Sequence, residues 1–355
     1  MLRKRIIVFI ILFLTLPSTF AQEEPSGLIL NTDDASEGYT LFAPLSSTDT
    51  YLIDNEGRLI HYWNSEYRPG NSVYLLENGN LLRTAIIQSD VFNSGGIGGR
   101  VEEFNWEGEL VWEFEYAAPQ YHAHHDIEHL PNGNILLIAW EYKSAEEALA
   151  AGRDPDLLPD ATPAETPPGN PNTPPPSDSL WPEHIIEIDP TSNEIVWEWH
   201  VWDHLVQDYD GTKANYGVIA QQPELININF TSRNIDNDWL HINSIDYSPQ
   251  FDQIVLSVHN FSEIWIIDHS TTTAEAAGHS GGRYGKGGDL LYRWGNPQVY
   301  DSGSPASLQL FSQHDAKWIA PGLPGAGNIL IFSNGHQRRR PYSSIEEIVL
   351  PVDED

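Results

Sequence analysis

The chain has 355 residues, is 40% hydrophobic and 11% aromatic, contains no cysteine and carries a formal charge of −33. That length and apolar content suffice for two ordinary domains or one large all-β domain. Without cysteine there is no thiolate nucleophile, no lipid-modified cysteine and no Cys-type zinc site, and so acidic a surface repels nucleic acid and anionic membranes.

The chain starts with "MLRKRIIVFIILFLTLPSTFAQ". A basic start (Arg3, Lys4, Arg5), an apolar run from Ile6 to Leu16 and small residues at Thr19 and Ala21 are the pattern of a cleavable secretory signal over residues 1–21. The run is short for a bilayer span. We expect cleavage after Ala21, a periplasmic or secreted product with no membrane attachment, and a single domain over residues 22–355.

Beyond the leader one phrase recurs: "GRLIHYW" from Gly57, "GELVWEF" from Gly108, "NEIVWEW" from Asn193 and "GDLLYRW" from Gly288. Each is a turn, an aliphatic pair and then aromatics at strand spacing. A second phrase follows each: "ENGNLLRT" from Glu77, "PNGNILLIAW" from Pro131, "FDQIVLSVHN" from Phe251 and "GAGNILIFSNG" from Gly325. These read as hairpin turns feeding an apolar strand. A repeated four-stranded antiparallel meander predicts an all-β fold, a β-propeller of four-stranded blades; a β-sandwich would not repeat the same phrases in the same order. Helical spacing occurs only at "SAEEALAAG" (Ser144–Gly152), and the Pro-rich stretch at about 154–182 reads as an exposed insertion. "SSIEEIVLPVDED" resembles the first strand of a further repeat, so the chain is expected to lack later blades.

Aligning the repeats on the strand before each second turn superposes Asn71, His125, Asn243 (with His241 two residues earlier) and His314. Equivalent positions of successive blades gather around a propeller axis, so these side chains are expected at one mouth of the central channel. A lone buried histidine is ordinarily a satisfied core group, whereas histidines at matching repeat offsets point to a shared chemical site. Asp126 and Asp315 follow their histidines directly, and strand alternation would turn them to the opposite face to pin turns. "HAHHD" (His122–Asp126) suits a transition metal, but no partner sits at a diagnostic spacing, so neither metal nor cofactor is expected. "GHSGGRYGKGG" (Gly278–Gly288) lacks phosphate-loop spacing and reads as a mobile hairpin loop. "HQRRRP" (His336–Pro341) reads as a solvated basic loop able to meet an anion.

"HHDIEHLPNGN", "DWLHINSIDYSPQFDQIVLS" and "QHDAKW" followed by "GNILIFSNG", in that order, resemble the bacterial aryl-sulfate sulfotransferase family, which moves a sulfuryl group between phenols without a nucleotide sulfate donor. The resemblance spans about Gly38 to Ile348 and implies a six-bladed propeller with the active site in its central channel. It implies that His314 is the covalently sulfurylated histidine, that His241 and Asn243 form the H-x-N motif, and that His125 is the blade-two histidine. Where relatives carry arginine in the strand after that motif, this chain has His259. The implied partners are a small-molecule aryl sulfate donor and a phenolic acceptor. The competing readings are a quinone-cofactor redox propeller, for which the "GELVWEF" phrases also speak, and a non-catalytic binding propeller.

Overall fold

The computed structural model describes residues 27–158, 179–231 and 237–351. The leader and most of the Pro-rich stretch lie outside them. Among the described residues no helix is long and apolar enough to cross a membrane.

Five antiparallel sheets follow one another along the chain in a β-propeller-like ring. The first has three strands, Tyr39–Phe42, Asp49–Asp54 and Leu59–Asn64. The second has four, Pro69–Leu75, Leu81–Ile86, Gly99–Phe104 and Leu110–Glu115. The third is built on Tyr121–His129, Ile135–Glu141, Glu183–Asp189 and Glu194–His200, with a short edge strand at Ala117–Ala118. The fourth comprises Ile242–Ser248, Gln253–Val258, Glu263–Asp268 and Tyr292–Trp294. The fifth comprises Gln313–Trp318, Ile329–Ser333 and Ser344–Ile348.

The sequence repeat and the sheet are out of phase by two strands. In the second sheet the two inner strands flank the Asn78–Gly79–Asn80 turn, while the outer two carry "GRVEEF" and "GELVWEF" from the next repeat. Gly79 and Gly133 occupy equivalent turns at φ +87° and +90°, a region where a side chain would be strained. The helix at Ala145–Ala150 forms as its spacing predicts, with a capping box between Ser144 and Glu147. The end of the expected exposed insertion is not exposed: Ser179 and Leu180 pair with Ser144 and Lys143, and Ser179, Leu180 and Trp181 are buried because they close a short sheet against the body of the propeller.

Alternation explains both the apolar runs and the cohesion of the ring. In the strand Gln253–Val258 every residue is buried. Ile254, Leu256 and Val258 pack with Trp197 and Trp199 of the third sheet, while Val255 packs with Ile329 and Ile331 of the fifth. Strand Ile135–Glu141 does the same one sheet earlier: Leu136 and Ile138 face forward, and Ile135, Leu137 and Ala139 face Leu82 and Val101 of the second. Each apolar core therefore lies between two neighbouring sheets rather than inside one. Burying such an aliphatic side chain contributes about 1.5–3 kcal/mol. The tryptophans serve this packing, and Trp63, Trp140, Trp181, Trp199 and Trp265 are fully buried. Two buried ion pairs lie between adjacent strands of one sheet, Arg83 with Glu102 at 3.4 Å in the second and Arg293 with Glu263 at 2.5 Å in the fourth.

Candidate active site

The innermost strands of the second to fifth sheets each break register at the same level. Pro69 faces Ala85 and Val73 faces Arg83, leaving Gly70, Asn71 and Ser72 opposite Thr84 alone. Ala123 faces Ala139 and Ile127 faces Leu137, which leaves His124, His125 and Asp126 opposite Ile138. Asn243 is the extra residue between Ile242 and Ser244, and Asp315 and Ala316 stand opposite Ile331. Such bulges bend a strand and re-aim its side chains. His125, His241 and Asp315 adopt φ of +53°, +54° and +53° to make them, a strained conformation typical of functional sites.

The bulges open onto a cavity of about 620 Å³ whose lining includes Asn71, His125, Asn243 and His314, the residues that the repeats superpose. Around it the imidazoles form an unbroken arc. Ring centroids are 5.0 Å apart for His124 and His125, 4.6 Å for His125 and His241, 5.2 Å for His241 and His259, and 5.4 Å for His259 and His314. Three separate sheets thus contribute to one row of rings. His259 lies between His241 and His314, which its place in the sequence did not reveal.

Each ring is held differently. His314 Nδ1 lies 3.2 Å from the Ser312 carbonyl oxygen and 3.0 Å from Asn334 Oδ1. A carbonyl only accepts, so Nδ1 carries the proton and Nε2 carries the lone pair. His241 Nδ1 meets Asp238 Oδ2 at 2.5 Å. That carboxylate also accepts from Ser94 Oγ at 2.5 Å and from the Trp140 indole at 2.9 Å. Burial opposes its ionisation, but the His241 ring, Ser94 and His125 outweigh that and lower its pKa. His125 is the opposite case: burial, then repulsion from His241, pushes its pKa down to about 3. His124, stacked on Trp140 at 4.0 Å and bonded to His125 at 2.7 Å, is lowered well below the ordinary value by burial and the neighbouring rings. His259 Nδ1 lies 3.0 Å from Asn260 Oδ1. Asn243 donates one amide hydrogen to the Gln313 carbonyl at 2.9 Å, tying the fourth sheet to the fifth.

The aspartates do not behave as strand alternation predicts, because the bulges cancel alternation. Asp126 points to the axis, where it accepts from the Tyr74 hydroxyl at 2.6 Å and from the Ile245 N–H at 3.2 Å, linking three sheets. Burial pushes its pKa up to about 6. Asp315 lines the cavity and pairs with Lys317 at 2.8 Å. Gly278–Gly288 lies, as expected, in the connection between two antiparallel strands, Glu263–Asp268 and Tyr292–Trp294, where it is closed by Gly288 N–H to Gly278 O at 3.0 Å and Gly287 N–H to Gly281 O at 3.1 Å. In the basic loop Arg340 pairs with Glu346, while Arg338 and Arg339 line a separate surface groove beside Phe311.

Two parts of the site escape the repeat analysis. Asp238 stands three residues before His241 in "DWLHIN" and has no counterpart in the other repeats. The loop from Ser94 to Gly98 crosses from the second sheet: Gly96 O accepts from the His125 N–H at 2.7 Å, and a Cβ on Gly96 would lie 2.2 Å from the His125 ring. The clustered glycines of "SGGIGG" were the available signal.

Among solved structures, a protein of unknown function from Bacteroides caccae is 10% identical, with 88% of this chain and 73% of that chain covered and a TM-score of 0.41. Hydrazine synthase from Kuenenia stuttgartiensis is 12% identical, with 89% and 68% covered and a TM-score of 0.45. No curated protein matches the chain. The sequence model of the family described as Arylsulfotransferase (ASST), however, matches residues 29–156 and 170–348. With most of its length matched, this chain belongs to the arylsulfotransferase family, a membership that supports a transferase activity on small-molecule aryl substrates.

Proposed function

We propose that the protein transfers a sulfuryl group from an aryl sulfate donor to a phenolic acceptor through a sulfohistidine at His314, without a nucleotide sulfate. The observation that carries this reading is the tautomer of His314. Its Nδ1–H is taken by Ser312 O and Asn334 Oδ1, so the nitrogen left to react is Nε2, on a ring that lines the cavity.

In the first half-reaction Nε2 attacks sulfur, the N–S bond forms and the bond from sulfur to the aryl oxygen breaks. In the second, the acceptor oxygen attacks the same sulfur, the N–S bond breaks and His314 returns to its starting state. Charge in such a loose transfer sits on the equatorial oxygens, so the protein's task is to position groups and supply donors. None of the described residues lining the cavity is lysine or arginine. Binding of the sulfate therefore falls to other donors, among them the second amide hydrogen of Asn243 and the His259 ring when it is protonated, since its Nδ1–H already meets Asn260 Oδ1. The proton that neutralises the departing phenolate is assigned to the Asp238–His241 pair rather than to His125, whose burial keeps it neutral at working pH. The same pair recovers a proton from the acceptor. The leader-like start and the cysteine-free composition support a reaction outside the cytoplasm.

The test is a donor with a coloured phenolate leaving group, supplied without acceptor. The intact chain should gain the mass of one SO₃ unit, peptide mapping should place it on His314, and His314→Ala should neither gain it nor turn over. An adduct on another residue, or full turnover by His314→Ala, would overturn the assignment.

A further inference from the structure

Far along the fourth sheet from the axial cavity, a second group of imidazoles surrounds a carboxylate. His204 ends the short turn Val201–His204, Asp289 follows the glycine-rich loop, and His279 sits inside that loop. Asp289 Oδ1 lies 2.9 Å from His204 Nδ1 and 2.7 Å from His279 Nδ1. One ligand atom from each of the three lies within 4.8 Å of the other two.

The tautomer of His204 is fixed from behind. Its Nε2 is 2.8 Å from the Ala276 carbonyl oxygen, so Nε2 carries a hydrogen and Nδ1 is the ring atom that faces Asp289. With His279 Nδ1 on the same oxygen, two ring nitrogens and a carboxylate oxygen crowd one small space that either a proton or a metal ion can fill. Backbone carbonyls that orient the far nitrogen of a ligating histidine are the usual support of a metal site. The rest of the setting is rigid. His204 is fully buried and stacks on Trp199 with ring planes 8° apart, and the Trp199 indole N–H donates to Gly288 O at 2.7 Å. A Cβ on Gly288 would lie 2.0 Å from Ala276 O and 2.6 Å from His204 Nε2, so only glycine lets the loop approach. His279 is exposed and gives solvent access to a fourth position.

A comparable group elsewhere lacks this character. Glu141, His184 and His200 also converge, but the Lys143 ammonium already pairs with Glu141, and His200 lies between Glu141 and Glu198 at 3.3 and 3.1 Å. Cationic side chains there occupy the place of an ion.

We propose that His204 Nδ1, His279 Nδ1 and Asp289 Oδ1 bind a divalent transition metal of the zinc class, which staples the glycine-rich loop to the third sheet. Two imidazoles and one carboxylate with an open position suit zinc, not the all-oxygen shells of calcium or magnesium. The site is separate from the sulfuryl-transfer cavity, so its failure and that of the proposed reaction are independent.

The test uses the full chain without an affinity tag, stripped with chelator and titrated with Zn²⁺ by calorimetry. Wild type should bind one equivalent and gain thermal stability from it. His279→Ala, an exposed substitution, should keep its fold and activity in the metal-free state and weaken Zn²⁺ binding by about tenfold or more. Asp289→Asn should weaken it likewise. Co²⁺ should give the intense visible bands of a tetrahedral site in wild type and not in His279→Ala. The proposal is overturned if wild type binds no zinc at this stoichiometry, if His279→Ala binds as tightly, or if nitrogen NMR finds His204 protonated on both nitrogens with zinc present.

Discussion

Asp238 Oδ2 accepts from His241 Nδ1 at 2.5 Å while Oδ1 accepts from the Trp140 indole at 2.9 Å. The carboxylate is 2% exposed, so it persists as an anion only because His241 and its other donors face it. In exchange it fixes the orientation of the His241 ring. Asp238→Asn keeps the shape and removes the charge. If the pair moves the proton, kcat should fall by about 10²–10⁴-fold and the loss should shrink for donors with very acidic phenols, which need no proton. Equal losses across a series of leaving groups would remove the pair from proton transfer.

The axial carboxylates and the buried histidines set opposite pH trends. Burial, reinforced by neighbouring carboxylates, pushes Glu128 up to about 9, and burial pushes Asp246 up to about 7. The folded state then holds protons that the unfolded chain has lost, so stability falls as pH rises from the ordinary carboxylate range toward those values. His125 and His184 are pushed down to about 3 by burial, and there the unfolded chain binds more protons. From them stability falls as pH drops from about 6.5 toward 3. Glu128→Gln removes the larger alkaline contribution, so the pH of maximal Tm should move upward while the acid limb stays in place. An unchanged optimum would mean that Glu128 titrates normally.

Much of the fold could be read from repetition, since the central strands of the second, third and fourth sheets are buried on both faces and the same apolar phrase recurs. The pairing of Asn71, His125, Asn243 and His314 was legible for the same reason: equal offsets in equal repeats meet at one axis. What was not legible depends on irregularity. Asp126 turns inward because a bulge inserts residues that alternation does not count, and bulges leave no residue signature in "HAHHDIEH". Asp238, Ser94 and Gly96 reach the site from outside the repeated strands, through contacts that span 144 residues in the case of Ser94 and Asp238. The Gly278–Gly288 loop looked mobile by composition, yet its glycines serve close approach to His204 and Ala276.

Gly96 supports His125 by having no side chain. It has φ +82°, and a Cβ would lie 2.2 Å from the imidazole, so Gly96→Ala meets both backbone strain and a collision. Each such strain costs about 1–3 kcal/mol. The ring of His125 can retreat only toward His241 or into the cavity it lines, and either move displaces it from its place in the arc. Gly96→Ala should therefore lower Tm and depress turnover more than Gly95→Ala, whose Cβ would lie 3.8 Å from the His241 ring. Equal effects of the two would show that the loop does not position His125.

His259 occupies the strategic place in the arc, 5.4 Å from the ring of His314 and 5.2 Å from that of His241. With Nδ1–H facing Asn260 Oδ1, it can give a sulfuryl oxygen only an Nε2–H, which comes with the charge of the protonated ring; arginine in its place lends a fork of donors and a charge at every working pH. Removing one such donor typically costs about 10²–10³-fold in kcat. His259→Ala should show a loss of that order with the His314 adduct still detectable, because the nucleophile is untouched. His259→Arg separates charge from mere occupancy. Imidazole can lose its proton within the working pH range whereas guanidinium does not, so the alkaline fall in rate that His259 causes should be absent from the arginine variant. Parallel pH profiles for wild type and His259→Arg, measured as kcat/KM with a donor whose phenol is fully ionised, would exclude His259 from holding the transferred group.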